Sequence, residues 1–90
     1  MENDERNHDA LSALASANLE AQDRMVKALK EHREAAGLSL EDVVRRCGAD
    51  ADEVLGLERF GVASAAFLRR YAAAIGVVIE FSVVPARTAG

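Results

Sequence analysis

Residues 39–61 read SLEDVVRRCGADADEVLGLERFG, and this stretch decides the fold. Ser39 stands before a short apolar-periodic run. Its hydroxyl can accept from the backbone N–H of Asp42, and the Asp42 carboxylate can reach back, which makes a capping box. Leu38 before the cap and Val43 at the fourth helical position form a hydrophobic staple. Gly48 can take positive φ and stop this helix. Asp50 then opens a second helix, with Glu53 three residues on as a second capping box. Val54 and Leu57 supply its inner face, and Gly61 ends it.

Two short helices in succession, joined by a glycine-bearing turn, are the pattern of a helix-turn-helix. Upstream, the spacing predicts a helix from about Asp9 to Ala36. Leu11, Leu14, Asn18, Gln22, Met25, Leu29 and His32 recur at threes and fours, and Ala15, Leu19 and Val26 widen the stripe. The alternatives are one long helix or two with a break near residues 22–24, and Gly37 closes the run. Residues 1–8 are charged and aperiodic, and are expected to be a disordered leader. Downstream, Ser64 caps a helix over 65–75, with Leu68, Tyr71 and Ala72 inside and Gly76 as its stop. Beyond it VVIEFSVV is β-branched and apolar, so residues 77–84 are expected to form a strand ended by Pro85. Ile79, Phe81 and Val83 share one face of it. A lone strand leaves unpaired backbone groups, which a second copy can satisfy by two-fold antiparallel pairing. Residues 85–90 are expected to be a loose tail. The expectation is thus mainly α: four to five helices containing a helix-turn-helix, a single domain over 9–84, and one C-terminal strand pairing across a dimer.

Ninety residues, half of them apolar but only 4% aromatic, make one small domain with a core of Leu, Val, Ile and Ala. The single cysteine, Cys47, excludes an intramolecular disulfide and fits a reducing, cytoplasmic setting. No run of about 18 apolar residues exists for a membrane span. The net charge of −4 sits in the first 24 residues, where Glu2, Asp4, Glu5, Asp9, Glu20 and Asp23 face Arg6 and Arg24. The remainder is neutral, without the strong general attraction to phosphate of many DNA binders.

From Val26 to Gly76 the chain resembles the Cro/XRE family of helix-turn-helix regulators. The resemblance is carried by the Arg33-x-x-x-Gly37-Leu38-Ser39 junction, by Leu57-Glu58-Arg59 and by Ala74-Ile75-Gly76-Val77. The C-terminal half, Ser64-Ala-Ala-Phe-Leu-Arg-Arg-Tyr71 followed by Ala74-Ile-Gly76 and an apolar segment containing Glu80, is similar to HigA-like antitoxins. That resemblance implies a homodimer that represses its own operon and binds a partner protein, a toxin ribonuclease. It also implies an ion pair between Arg33 and Glu58. If buried, breaking such a pair from one side costs on the order of 3 kcal/mol; two exposed charges would be worth under about 1 kcal/mol.

The resemblance places base-reading positions at Ala51, Asp52, Glu53 and Gly56. The usual readers donate to base edges or phosphates, whereas Asp and Glu accept from cytosine N4 and otherwise meet phosphate with like charge. Leu40 stands where the family often has a phosphate-binding Gln. Candidate DNA contacts are therefore Arg45, Arg46, Ala51, Asp52, Glu53, Arg59 and Arg69, with Arg70 pointing away from Arg69. No catalytic constellation is visible, and no cofactor motif. The two histidines, His8 and His32, lack neighbours at metal spacing, and His32 is expected to be half-buried. Two functions fit. One is a small dimeric DNA-binding regulator, antitoxin-like in kind. The other is a degenerate helix-turn-helix whose acidic second helix binds a protein or mimics phosphate.

Overall fold

The computed structural model describes residues 2–86. Its elements are α1 (Glu2–Ala35), α2 (Leu40–Cys47), α3 (Ala51–Phe60) and α4 (Ala65–Ile75). The fold is mainly helical, and no helix among the described residues is long and apolar enough to cross a membrane.

α1 is a single 34-residue helix with no break near residues 22–24. It begins at Glu2, so the stretch expected to be a disordered leader is its first two turns. Acids placed at the start of a helix complement the partial positive charge of its free N–H groups, which composition alone does not reveal. At about 1.5 Å per residue such a helix is about 51 Å long, and the molecule's longest extent is 52 Å. Among the residues whose side chains are described, the contacts of α1 with the rest of the chain lie in roughly its C-terminal third. Val26 and Leu29 are buried there, and Gln22 donates to the carbonyl of Gly61.

The core lies where that third of α1 meets α2, α3 and α4. Val43, Val54, Leu57 and Tyr71 are fully buried, and Phe67, Leu68, Ala72 and Ile75 surround them. Removing side chains of this size from water supplies about 1.5–3 kcal/mol each. Leu38, Leu40, Val44 and Cys47 close the edge from α2 and its lead-in. Burial pushes the Cys47 thiol above its usual value, as for an inert packing residue.

The caps explain the element lengths. Asp42 N–H donates to Ser39 Oγ at 3.0 Å, and Ser39 N–H donates to Asp42 Oδ2 at 2.9 Å, so the first capping box forms as expected. Ser64 Oγ accepts from the N–H of Phe67 at 3.1 Å. Asp50 has the extended N-cap backbone but makes no side-chain cap bond, so the second box is absent. Its place is taken by backbone bonds from Glu53 and Val54 N–H to the Asp50 carbonyl. Gly48 stands in the left-handed region at φ 63°, and its N–H donates to Val44 O, which halts α2 and frees Ala49 and Asp50 to turn the chain into α3.

Among the described residues there is no strand. Residues 77–86 have no regular structure, because a strand requires a ladder partner and one chain offers none. Val77 and Ile79 are half-buried against the core, whereas Phe81 and Val83 are exposed, so the face expected to be shared by Ile79, Phe81 and Val83 is split. The tail expected over 85–90 lies outside the described residues from 87 onward. His32, expected half-buried, is exposed, because the 77–82 segment stands off α1 and leaves an open groove between Met25, His32 and Phe81.

Candidate nucleic-acid interface

A buried polar frame fixes α3 from behind. Arg33, near the end of α1, meets Glu58 side-on: Nε donates to Oε2 at 2.8 Å and Nη2 to Oε1 at 3.0 Å. The remaining edge of the guanidinium, Nη1, donates to the Leu38 carbonyl at 2.7 Å. Tyr71 of α4 donates its hydroxyl to Glu58 Oε2 at 2.6 Å. The two charged side chains are 11% and 5% exposed, so water screens the pair weakly. The expected Arg33–Glu58 pair is present, and it is larger than expected. Sequence reasoning did not identify the Tyr71 hydroxyl or the Leu38 carbonyl as members. A tyrosine on the inner face of a helix was the available signal, since a buried phenol needs a hydrogen-bond partner. Hydrogen bonding to Glu58 holds the Arg33 guanidinium even more firmly protonated than usual. Burial first, and the Glu58 carboxylate second, push the Tyr71 phenol well above its usual value.

In front of this frame, α3 presents Ala51, Asp52, Glu53, Arg59 and Phe60 to solvent, and Gly56 is half-buried. Its outward face is acidic where the helix begins and basic where it ends. Beside Arg59, across a shallow hollow, lie Lys27 and Lys30 of α1 together with Asp23. Those two lysines were missed in the sequence; their i, i+3 spacing on the polar side of α1 was the signal.

The arginines divide into two groups. Arg45 is 77% exposed and touches Asp42 one turn earlier on α2. The Asp42 carboxyl is held below its usual range, first by the Ser39 backbone N–H, then by the Ser39 hydroxyl, with Arg45 contributing less. Arg59 and Arg69 are exposed. Arg46, by contrast, donates from Nη1 to the Ala74 carbonyl at 3.0 Å, in the last turn of α4. Arg70 does the reverse, donating from Nη2 to the Cys47 carbonyl at 3.2 Å at the end of α2. The Arg70 guanidinium carbon also stands 5.8 Å from the centre of the Phe67 ring. Each arginine thus serves the carbonyl end of the other's helix, where the helix dipole favours a cation. Arg46, expected as a phosphate contact, directs Nη1 into this clasp while its side chain stays exposed.

Between α2 and α3, on the side of Arg45 and Ala51, lies an open apolar hollow of about 610 Å³ lined by Leu40, Val44, Val54 and Leu55. Among the described residues no three His, Cys, Asp or Glu side chains gather where a metal could sit. Comparison of the chain with protein-family models, with curated proteins and with solved structures found no match.

Proposed function

We propose that this chain is a small dimeric helix-turn-helix DNA-binding regulator, antitoxin-like in kind, with α2 and α3 as the bihelical unit and α3 as the reading helix. One observation carries the reading: α3 is pinned from its inner side by the Arg33–Glu58–Tyr71 frame, while Ala51, Asp52, Glu53 and Arg59 stay open to solvent. That is the arrangement a groove-reading helix needs, because its tilt must be set by contacts that do not compete with the ligand. Arg45, Arg59 and Arg69 supply the phosphate contacts. Asp52 and Glu53 restrict base contacts to acceptors, which suits cytosine N4. The dimer is supported by Phe81 and Val83, which are 61% and 99% exposed on a segment with free backbone groups. Pairing of this tail with its counterpart would form the two-stranded ladder expected from the sequence. A cytoplasmic location accompanies the reading.

The test is a gel-shift against DNA upstream of the chain's own gene at two salt concentrations. Three phosphate contacts per subunit give a dimer a log–log salt slope of about −5. Arg45→Ala and Arg59→Ala should each weaken binding and flatten the slope by about 2, because each change is present twice. Absence of any shift at low salt overturns the reading.

A second reading is favoured by the apolar hollow beside the acidic start of α3. A hydrophobic depression next to the acidic first turn of α3 suits a protein partner with a basic surface, such as a toxin ribonuclease, better than it suits phosphate. Under that reading Asp52→Lys with Glu53→Lys creates a DNA shift where the parent chain has none.

A further inference from the structure

The apolar stripe by which α1 contacts the core does not stop where the core stops. Leu11, Leu14, Ala15 and Leu19 continue, at helical spacing, the face that carries Met25, Val26 and Leu29. Nothing covers this continuation, for every residue from 8 to 21 is exposed, with Leu11 at 66% and Leu19 at 59%. The consequences show in the whole molecule. Its accessible surface is 6992 Å², whereas a folded monomer of 9.6 kDa exposes about 5,100 Å². The excess of about 1,900 Å² is shared between this projection of α1 and the irregular 77–86 segment, where Val78, Phe81, Val83 and Val84 are also exposed. A helical projection of this length without tertiary contacts is also marginal in water.

We propose that this projection of α1 is a self-association surface, and that its occupant is the same projection of a second copy, laid antiparallel about a two-fold axis at Ala15. The spacing argues for a second copy over an unrelated partner. Leu11 and Leu19 stand four residues either side of Ala15. A two-fold at Ala15 therefore sets each Leu11 against the partner's Leu19, and the small Ala15 side chains let the helices approach at the crossing. Asp9 and Glu20, the acids of this stretch, lie on the opposite side of α1 from the Leu11–Leu19 stripe, so this seam buries no carboxylate. Asn18 Nδ2 donates to the Leu14 carbonyl within its own helix at 2.9 Å, which satisfies one of its two amide donors. The inference rests on the dimeric part of the proposed function but assigns the contact to α1 in place of the C-terminal segment, and it is independent of whether DNA binds.

Sedimentation equilibrium of the full chain tests it. The parent chain should be dimeric, with helicity that falls on dilution. Leu11→Glu with Leu19→Glu should weaken the dimer by at least about 100-fold, since each change removes a buried leucine twice. The thermal unfolding signal of Tyr71 should persist and confirm that the body remains folded. In a Cys47→Ser background, Ala15→Cys should cross-link between chains on oxidation, and Leu11→Cys should not, because antiparallel packing separates the two Leu11 positions by about 12 Å along the axis. A dimer that survives Leu11→Glu/Leu19→Glu but dissociates with Phe81→Ser/Val83→Ser overturns this surface and keeps the dimeric reading. A chain that is monomeric at every concentration overturns both. Cross-linking through Leu11→Cys as efficient as through Ala15→Cys overturns the antiparallel arrangement.

Discussion

Replacing Glu58 by alanine removes the carboxylate that Arg33 and Tyr71 share. Arg33 then keeps the Leu38 carbonyl as partner for a charge whose side chain is 11% exposed. An uncompensated buried charge costs about 3–5 kcal/mol. The Tyr71 hydroxyl, in a fully buried residue, loses its acceptor, and an unsatisfied buried group costs about 1–3 kcal/mol. The two losses share one carboxylate and do not add, so about 4 kcal/mol is expected. A chain of this length has about 5–13 kcal/mol in all. Glu58→Ala should therefore remove a third or more of the stability. Urea unfolding followed by circular dichroism would read this as a lower midpoint with an unchanged slope. Glu58→Gln keeps the shape and one acceptor and should lose about half as much. The pair Arg33→Met with Glu58→Leu should recover most of the deficit, because the desolvation of both ions disappears with them. A loss below about 1 kcal/mol for Glu58→Ala would mean that the pair behaves as a solvated surface contact, and the account of how α3 is held would fail.

Other consequences are as direct. The Tyr71 phenol is raised in the folded chain, so its contribution is complete below the unfolded value near pH 10 and is lost as pH climbs beyond it. Tyr71 is the sole tyrosine, and tyrosinate absorbance should appear together with loss of helicity; ionisation near pH 10 with helicity intact would contradict this, and Tyr71→Phe should remove the alkaline step. At Gly56 an added Cβ would lie 3.7 Å from the Val62 carbonyl oxygen, an ordinary contact. Gly56→Ala should therefore stabilise α3 by about 0.5–1 kcal/mol in a melting experiment; a destabilised variant would show that the position requires glycine. Arg46→Ala should lower stability by about 1 kcal/mol through its lost bond to the α4 carbonyl and leave DNA affinity unchanged, whereas Arg45→Ala should do the reverse. Equal loss of DNA affinity in the two would return Arg46 to the binding surface.

Where local chemistry decides an element, the sequence was readable. Ser39, Gly48, Ser64 and Gly76 each act within one helical turn, and their helices begin and end where those residues require. The Arg33–Glu58 contact was legible only through family resemblance, because nothing local ties two residues 25 positions apart. Asp50 misled for a physical reason: its backbone adopts the N-cap conformation and its side chain turns to water. Arg46 and Arg70 were equally opaque. An arginine on a polar helix face reads as a solvated charge until the neighbouring helix end comes within reach of it. The apolar run at 77–84 was expected to form a strand, and that segment carries none. The ladder expected there needs a second copy, and the described residues of one chain hold no other strand for it to join.

Arg33 joins the last turns of one rod to a linker carbonyl, to the end of α3 and, through Glu58, to a phenol on the fourth segment. No one of these pieces can open without removing a partner from the shared Arg33–Glu58 pair. Amide protons of Leu29, Leu57 and Ala72 should therefore exchange with deuterium through a single shared event at the global unfolding free energy, whereas those near Leu14 should exchange independently and early in a monomeric variant.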